Sequence, residues 1–439
     1  EQECYDGTTT AVILAGELLK KSEELIEQNI HPTTICRAFY QASALITDKL
    51  NEYSIKGDND LEKIAQTALT GKSAGSIKDF LGGICVQVVE SLSKKNNKID
   101  LDEINVVKAI GGEASDSFLM NGIILDKERC HNGMPQSLNN NPSVLLLNSA
   151  IEVKSTEMDA NIQITDPNQI TAFLQQEEDY LRDMVKKIEE SGANVVICQK
   201  EIDELAKHFL NKAGIFAVEK VKKSDMDALA RCLETPVLTN LDDLKDEGVL
   251  GECEAVNEAK IGEVPMIILR EPKHDAITLL LRGGTAPFIE EIERAFNDAV
   301  GVVSIAYQDK TILVGGGAIF ASLSHDLHEL ALETEGRDSM AIKAFAEALE
   351  TIPRTPAENA GLDPVDVMMS LRKTHSEGNT NHGIDVETGE IADMGEMGVF
   401  EPKRVVAQAL KSAVETATMI LRIDDVISSR KAAPQGQGR

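Results

Sequence analysis

Two stretches of helical periodicity enclose a stretch that alternates strand and helix, and this nested order limits the architectures open to the chain more than any other feature. From residue 8 to about 28, Val12, Ala15, Leu18, Leu19, Leu25 and Ile26 recur at helical spacing, and the pattern stops near His31-Pro32. Further helices are predicted over 32 to about 53, 60 to 69 and 76 to 92. Between 106 and 124, short apolar pieces broken by Gly111-Gly112 and Gly122 signal strands and the start of a new unit. Strands are expected at 143–147, 193–198, 215–221, 237–239, 266–269 and 277–281, with helices at 202–212 and, capped by Ser224, at 224–232. Asp166-Pro167 makes an N-cap and N1 pair that launches a long charged helix to about 190. Its apolar residues Ile170, Phe173, Leu174, Leu181, Met184 and Ile188 read either as packed core or as a protruding element with an apolar tip. Helices resume at 287–305, after the glycines at 315–317, at 339–350 ending in Ile352-Pro353, after Asp363-Pro364, and at 402–421. A hairpin is expected at 383–391, a short β-like end at 423–427 and a flexible tail at 431–439. Helical ends around an α/β middle predict one domain built from both ends and another inserted into it.

Composition narrows the function classes. At 439 residues and 42% hydrophobic the chain buries a sizeable core, and its length predicts two or three domains. The balance of 44 basic against 73 acidic residues, net charge −29, disfavours nucleic acid and anionic membrane surfaces as partners. Seven cysteines without any C-x-x-C spacing fit neither a disulfide framework nor a zinc site, and point to a reducing, cytoplasmic setting. No apolar run approaches the roughly 18 residues of a membrane span, and no signal peptide is recognisable. The start at Glu1, inside an ordered motif, is read as the start of a fragment.

The motif that carries chemistry is Asp6-Gly7-Thr8-Thr9-Thr10, which runs directly into a helix. Glycine permits a tight turn, and the first unpaired N–H groups of the helix attract an anion such as phosphate. Asp6 would repel bare phosphate, so its place makes sense with a hard cation such as Mg2+ between them; an Asp N-cap before a polar first turn is the plain alternative. Thr70-Gly71-Lys72-Ser73 resembles a Walker A loop but fails as one, because the motif's first glycine would fall at Gln66; the segment reads as a loop displaying Lys72. In the helix at 287–305, Glu291, Arg294 and Asp298 lie opposite the apolar face, and Asn297-Asp298 is a poor helix-forming pair in mid-helix. That side reads as a solvated face unless context assigns it work. The Gly315-Gly316-Gly317 turn offers a second backbone-rich surface to a ligand. His325 and His328, three apart, lack further metal ligands and read as surface residues.

Several motifs in order then carry a resemblance: Asp6-Gly7-Thr8-Thr9-Thr10-Ala11-Val12, Asn297-Asp298-Ala299, Gly315-Gly316-Gly317-Ala318, Ala348-Leu349-Glu350-Thr351-Ile352-Pro353-Arg354 with Ala357-Glu358-Asn359-Ala360-Gly361, and Ile423-Asp424-Asp425-Val426-Ile427. Together they resemble a group II chaperonin subunit of the archaeal thermosome type, from residue 1 to about 430. The resemblance implies a multidomain α+β and α/β chaperonin fold. Its parts would be a mostly helical equatorial domain (1–60 and 315–430), a small intermediate domain (61–125 and 281–314) and an inserted α/β apical domain (126–280) with a helical protrusion at about 161–190. It further implies an ATP-dependent molecular chaperone that binds unfolded proteins and folds them in a closed double ring of like subunits, using ATP and Mg2+. By the same resemblance Asp6 binds Mg2+, Gly7, Thr8, Thr9 and Thr10 contact phosphate, and Asp298 positions the attacking water. Lys72 would sense the γ-phosphate, Gly316 approach the ribose, and Asp385 and Glu401 contact the ribose and adenine end. Phe173 and Leu174 would form lid-tip or client-contacting surface.

Two residues depart from the family pattern. Tyr5 stands where Gly-Asp-Gly is usual, so its β-carbon and ring are expected to crowd a glycine-dependent turn. Pro356 stands where a leucine is common, which a proline at a helix start would tolerate. The resemblance also implies an equatorial segment ahead of Asp6, and reading the chain as a fragment without it is expected to leave the nucleotide site without one wall. A chaperonin-like binding or scaffolding protein impaired in hydrolysis is therefore the alternative function. An unrelated α/β metabolic enzyme has only glycine-rich turns in its favour.

Overall fold

The computed structural model describes residues 4–57, 60–71, 77–95, 101, 104–153, 167–245, 248–262, 264–273, 276–386 and 388–423, with the side chains of 94–95, 167–174 and 245 set aside. Lys72, Asp166, the side chains of Ile170, Phe173 and Leu174, residues 424–427 and the tail at 431–439 lie outside that description. The chain divides into two compact units, one formed by Glu1–Ile99 with Arg294–Arg439 and the other by Asp100–Glu293.

The first unit opens with α1 (Thr8–Glu27), α2 (Pro32–Glu52), β1 (Ile55–Lys56), α3 (Leu61–Leu69) and α4 (Lys78–Lys95). Local chemistry sets these boundaries. His31 caps α2 by accepting from the Thr33 N–H, and Pro32 occupies the first helical position, where its missing N–H costs nothing.

The second unit comprises β2 (Ile104–Ile110), β3 (Phe118–Leu125), β4 (Ser137–Leu138), β5 (Ser143–Leu147), α5 (Pro167–Glu190), β6 (Val195–Cys198), α6 (Glu204–Lys212), β7 (Phe216–Val218), α7 (Lys223–Leu233), β8 (Leu250–Ile261), β9 (Val264–Pro272) and β10 (Ile277–Gly283). The strands form one mixed sheet in the order β2-β10-β3-β9-β8-β5-β6-β7, with β4 on β8. β5, β6 and β7 pair in parallel, and both of their faces are buried. Leu145, Leu147 and Val196 pack with Leu181, Val185 and Ile188 of α5 and Leu210 of α6. Val144, Leu146 and Val195 pack with Met226 and Leu229 of α7. Unbroken apolar runs in these strands follow from that double burial. The second half of α5 is therefore core, whereas Gln175 to Glu177 at the start of its described side chains are exposed.

The first unit resumes with α8 (Ala286–Asp309), whose later part belongs to it, then β11 (Thr311–Val314), α9 (Ala318–Glu333), α10 (Arg337–Leu349), α11 (Thr351–Asn359), α12 (Pro364–Ser376), β12 (His382–Ile384), β13 (Ile391–Asp393), β14 (Phe400–Pro402) and α13 (Lys403–Leu421). Its core joins both chain ends: Leu14, Leu18, Phe39 and Ile46 from the early helices pack with Leu323, Phe345, Leu410 and Val414 from the late ones. Phe39 and Phe345 meet edge to face at 5.3 Å between ring centres, a favoured aromatic geometry.

The structure departs from the sequence reading at several elements. β8, the twelve-residue centre of the sheet, was not expected. The segment at 351–359 is a helix in its own right, with Pro356 inside it and Pro353 in its first turn. α7 begins at Lys223 with no side-chain cap, and Ser224 Oγ bonds Asp225 instead. At 237–239 only Leu238 makes a bridge, to Leu147. His325 and His328 are half-buried and line a cavity of about 400 Å³ beside Glu350 and Arg372. Burial lowers the His328 pKa below its ordinary value.

Candidate functional site

At the start of α1 the backbone turns twice through the left-handed region. Tyr5 has φ 60°, and the Asp6 N–H closes a tight turn onto the Cys4 carbonyl at 2.7 Å. Gly7 follows with φ 85° as the N-cap of α1, and no side chain caps the helix. The Asp6 carboxylate accepts the Gly7 N–H at 2.7 Å, which orients it across the turn. A helix start leaves its first N–H groups without intrahelical partners. Thr8 and Thr9 are exposed and Thr10 is half-buried, so the first turn of α1 presents hydroxyls and amides beside a fixed carboxylate. The expected crowding by Tyr5 stands in the backbone, which is left-handed at this residue, while its ring is accommodated on Gly301 of α8.

Neighbouring elements hold this loop on two sides. Cys4 is buried with Ile305 of α8 and Val405 of α13. A β-carbon on Gly7 would stand 3.0 Å from Val405 Cγ1, so glycine here serves both the positive φ and a close approach to α13. A groove of about 670 Å³ runs from the loop between α1 and α13, lined by Asp6, Gly7, Thr8, Val12, Gln408 and Ser412 among others.

Asp298 is half-buried on α8, one helical turn before Gly301. Residues three apart share a helix face, so the contact of Tyr5 with Gly301 brings the Asp6 loop to the face that carries Asp298. Glu401 lies in β14 opposite Leu313 of β11. Burial, with the nearby Asp6 carboxylate adding to it, pushes the Glu401 carboxyl up to about 7. β11 leads into the glycine turn, where Gly316 and Gly317 have φ 63° and 80°. A β-carbon on Gly316 would meet Met394 Sδ at 2.4 Å, and the Gly316 carbonyl accepts the Ile384 N–H at 3.2 Å. Close packing against the β12–β13 hairpin thus accounts for glycine at 316. Asp385 closes that hairpin: its backbone bonds Glu390 and Gly389, and its carboxylate accepts from Thr388.

Asp6 to Thr10, Asp298, Glu401, Gly316 and Asp385 therefore lie on adjoining elements of one unit. Lys72 and the side chains of Phe173 and Leu174 are outside the described residues. Sequence reasoning missed Gly301 and Cys4. A mid-helix glycine and a small apolar residue beside the motif were the only signals for them.

The TCP-1/cpn60 chaperonin family profile matches residues 1–431. The chain belongs to the TCP-1/cpn60 chaperonin family. It is 49% identical over 441 aligned residues to a thermosome subunit of Methanopyrus kandleri, covering 98% of this chain and 80% of that protein. A thermosome subunit beta of Archaeoglobus fulgidus is 48% identical over 440 residues, with the same coverage. Among solved structures, the open-state monomer of a group II chaperonin from Methanococcoides burtonii matches with TM-score 0.69 and 38% identity, covering 95% of this chain and all of that one. The protein is a group II chaperonin subunit with the multidomain chaperonin fold, and its class is that of ATP-dependent folding chaperones. Among the described residues no helix is long and apolar enough to cross a membrane.

The donor set around Asp6 suits Mg2+. Carboxylate and hydroxyl oxygens are hard ligands, and Mg2+ commonly takes only one or two carboxylates, completing its shell with water and substrate phosphates.

Proposed function

We propose that this subunit binds Mg2+-ATP at the start of α1 and hydrolyses it to drive the folding cycle of a double-ring chaperonin. The observation that carries the reading is the uncapped first turn of α1 beside an Asp6 carboxylate fixed by the Gly7 N–H. Amides and hydroxyls of Thr8, Thr9 and Thr10 cradle phosphate oxygens, and Gly7 keeps the approach open. Asp6 holds the cation, which when bound neutralises charge on the phosphate oxygens. Asp298 accepts a hydrogen bond from a water and aims it along the line of attack on the terminal phosphorus. Phosphoryl transfer needs little more than positioning and charge stabilisation, so a carboxylate held in register with the cation ligand can carry the step.

Lys72 is assigned to reading the γ-phosphate as a point charge, and Gly316, Asp385 and Glu401 to the ribose and base end. The equatorial and intermediate parts are assigned to the helical ends and their flanks, and the apical part to residues 126–280. Phe173 and Leu174 on the protruding helix are assigned to lid or client contact. Partners are non-native proteins and like subunits; the relatives named alpha and beta subunits of one organism make a mixed ring a natural arrangement.

Titration with Mg2+-ATP and measurement of turnover test the reading on the assembled protein. Asp298→Ala is expected to keep nucleotide affinity within about twofold and to lower kcat at least about a hundredfold, the scale of losing a positioned transition-state group. Turnover at the parent rate in that variant would remove Asp298 from the mechanism. Saturable binding without turnover by the parent would instead mark a non-cycling binding protein.

A further inference from the structure

We propose that Tyr5 is a positioning residue for ATP hydrolysis: its ring, seated in the notch left by Gly301, ties the Asp6 loop to the face of α8 that carries Asp298. The inference rests on the reading of Asp6 and Asp298 given above. It begins from an unusual backbone. An aromatic residue at φ 60° is rare, because the β-carbon crowds the following carbonyl, and such a conformation persists only where its surroundings hold it. The surroundings are specific. A β-carbon added at Gly301 would stand 2.2 Å from Tyr5 Cγ and 2.6 Å from its Cβ and Cδ2, so the ring root lies directly on the backbone of α8. These are the stiff atoms of the side chain, which cannot swing aside as a long flexible tip would.

The contact also explains Gly301, which would otherwise be a poor choice in a helix interior. Asp298, Gly301 and Ile305 fall at positions i, i+3 and i+7, one stripe of α8. Ile305 holds buried Cys4, and Gly301 holds Tyr5. Two consecutive loop residues are thus seated on the stripe that ends in Asp298, and the next residue is Asp6. The pair of contacts sets the spacing of the two carboxylates, on which in-line attack depends.

A variant cycle on the assembled full chain tests this, with kcat, KM, ATP affinity and melting temperature read for each protein. Gly301→Ala forces the ring out and is expected to lower kcat about tenfold with KM and affinity within twofold, and to lower the melting temperature, a loss that Tyr5→Gly in the same chain restores. Tyr5→Gly removes the tie while relieving the left-handed backbone, so it lowers kcat about threefold to fivefold without loss of melting temperature. Tyr5→Phe keeps the ring and returns kcat to near the parent value. The double variant Tyr5→Gly with Gly301→Ala matches Tyr5→Gly alone, because no ring remains to displace. Independent, multiplying effects of the two single changes would overturn the inference, as would kcat values within twofold of the parent in both. If Asp298→Ala abolishes turnover while Tyr5→Gly and Gly301→Ala do not alter it, this inference alone fails. A parent protein without Mg2+-ATP turnover overturns it together with the functional reading.

Discussion

Glu401 illustrates how a single carboxyl can report on a site. Burial, and secondarily the charge of Asp6, raises its pKa from an ordinary 4.5 to about 7. An acid held this way binds its proton more tightly in the folded state. Its contribution therefore favours the fold below about 4.5 and is lost as pH rises through about 7. In buffer free of nucleotide and metal, Glu401→Gln is expected to raise the melting temperature at pH 8 and leave it nearly unchanged at pH 5. Equal effects at both values would mean that Glu401 titrates normally. The helix start after Asp6 and Gly7 was legible in the sequence because glycine before a threonine run and an apolar periodicity is local chemistry; the nucleotide roles of those residues came only with the family resemblance. Tyr5 was legible only as a conflict. Its resolution lies on Gly301, far along the chain, and a contact between distant residues leaves no local pattern.

Among elements, helices with end signals were the most readable. Asp363 accepts the N–H groups of Val365 and Asp366 and precedes Pro364, and the predicted start of α12 stands. Asp363→Ala removes that cap at a cost of about 1 kcal/mol. Amide exchange in the first turns of α12 is expected to quicken about fivefold, with exchange in α10 unaffected; unchanged protection in α12 would show the cap to be dispensable. α11 was misread because two prolines suggest a helix end. Pro353 falls in the first turn, where no N–H bond is needed, and Pro356 forfeits one bond inside a helix that packing retains through buried Thr351, Pro353 and Ala357. β8 was missed for another reason. Its inward side is small, with Gly251, Cys253 and Ala255, and glutamates alternate with them. Alternation is present, yet these residues are weak strand formers, and their placement is decided by β5 and β9 on either side.

At the scale of the molecule, the nested order has a direct consequence for folding. Unit Asp100–Glu293 contains its whole sheet and the cores on it, whereas the core of the other unit needs both chain ends. A fragment of residues 100–293 is expected to unfold cooperatively on heating by itself, and a fragment of residues 1–99 to lack a cooperative transition, since Phe39 then loses Phe345. Circular dichroism melting of both fragments checks this. A cooperative 1–99 would show that the early helices form a core without the late ones.

The sequence by itself determined the helical ends, the alternating middle, the start of the first helix directly after Asp6-Gly7 and, through ordered motifs, the chaperonin family. Each of these depends on periodicity, end chemistry or a contiguous string of residues. Tertiary structure decided that β8 is the middle of the sheet, that α11 is a helix despite its prolines, and that Tyr5 fits where glycine is usual. In each case a residue's conformation is selected by atoms contributed from remote parts of the chain, and packing free energy outweighs the local preference that a sequence displays.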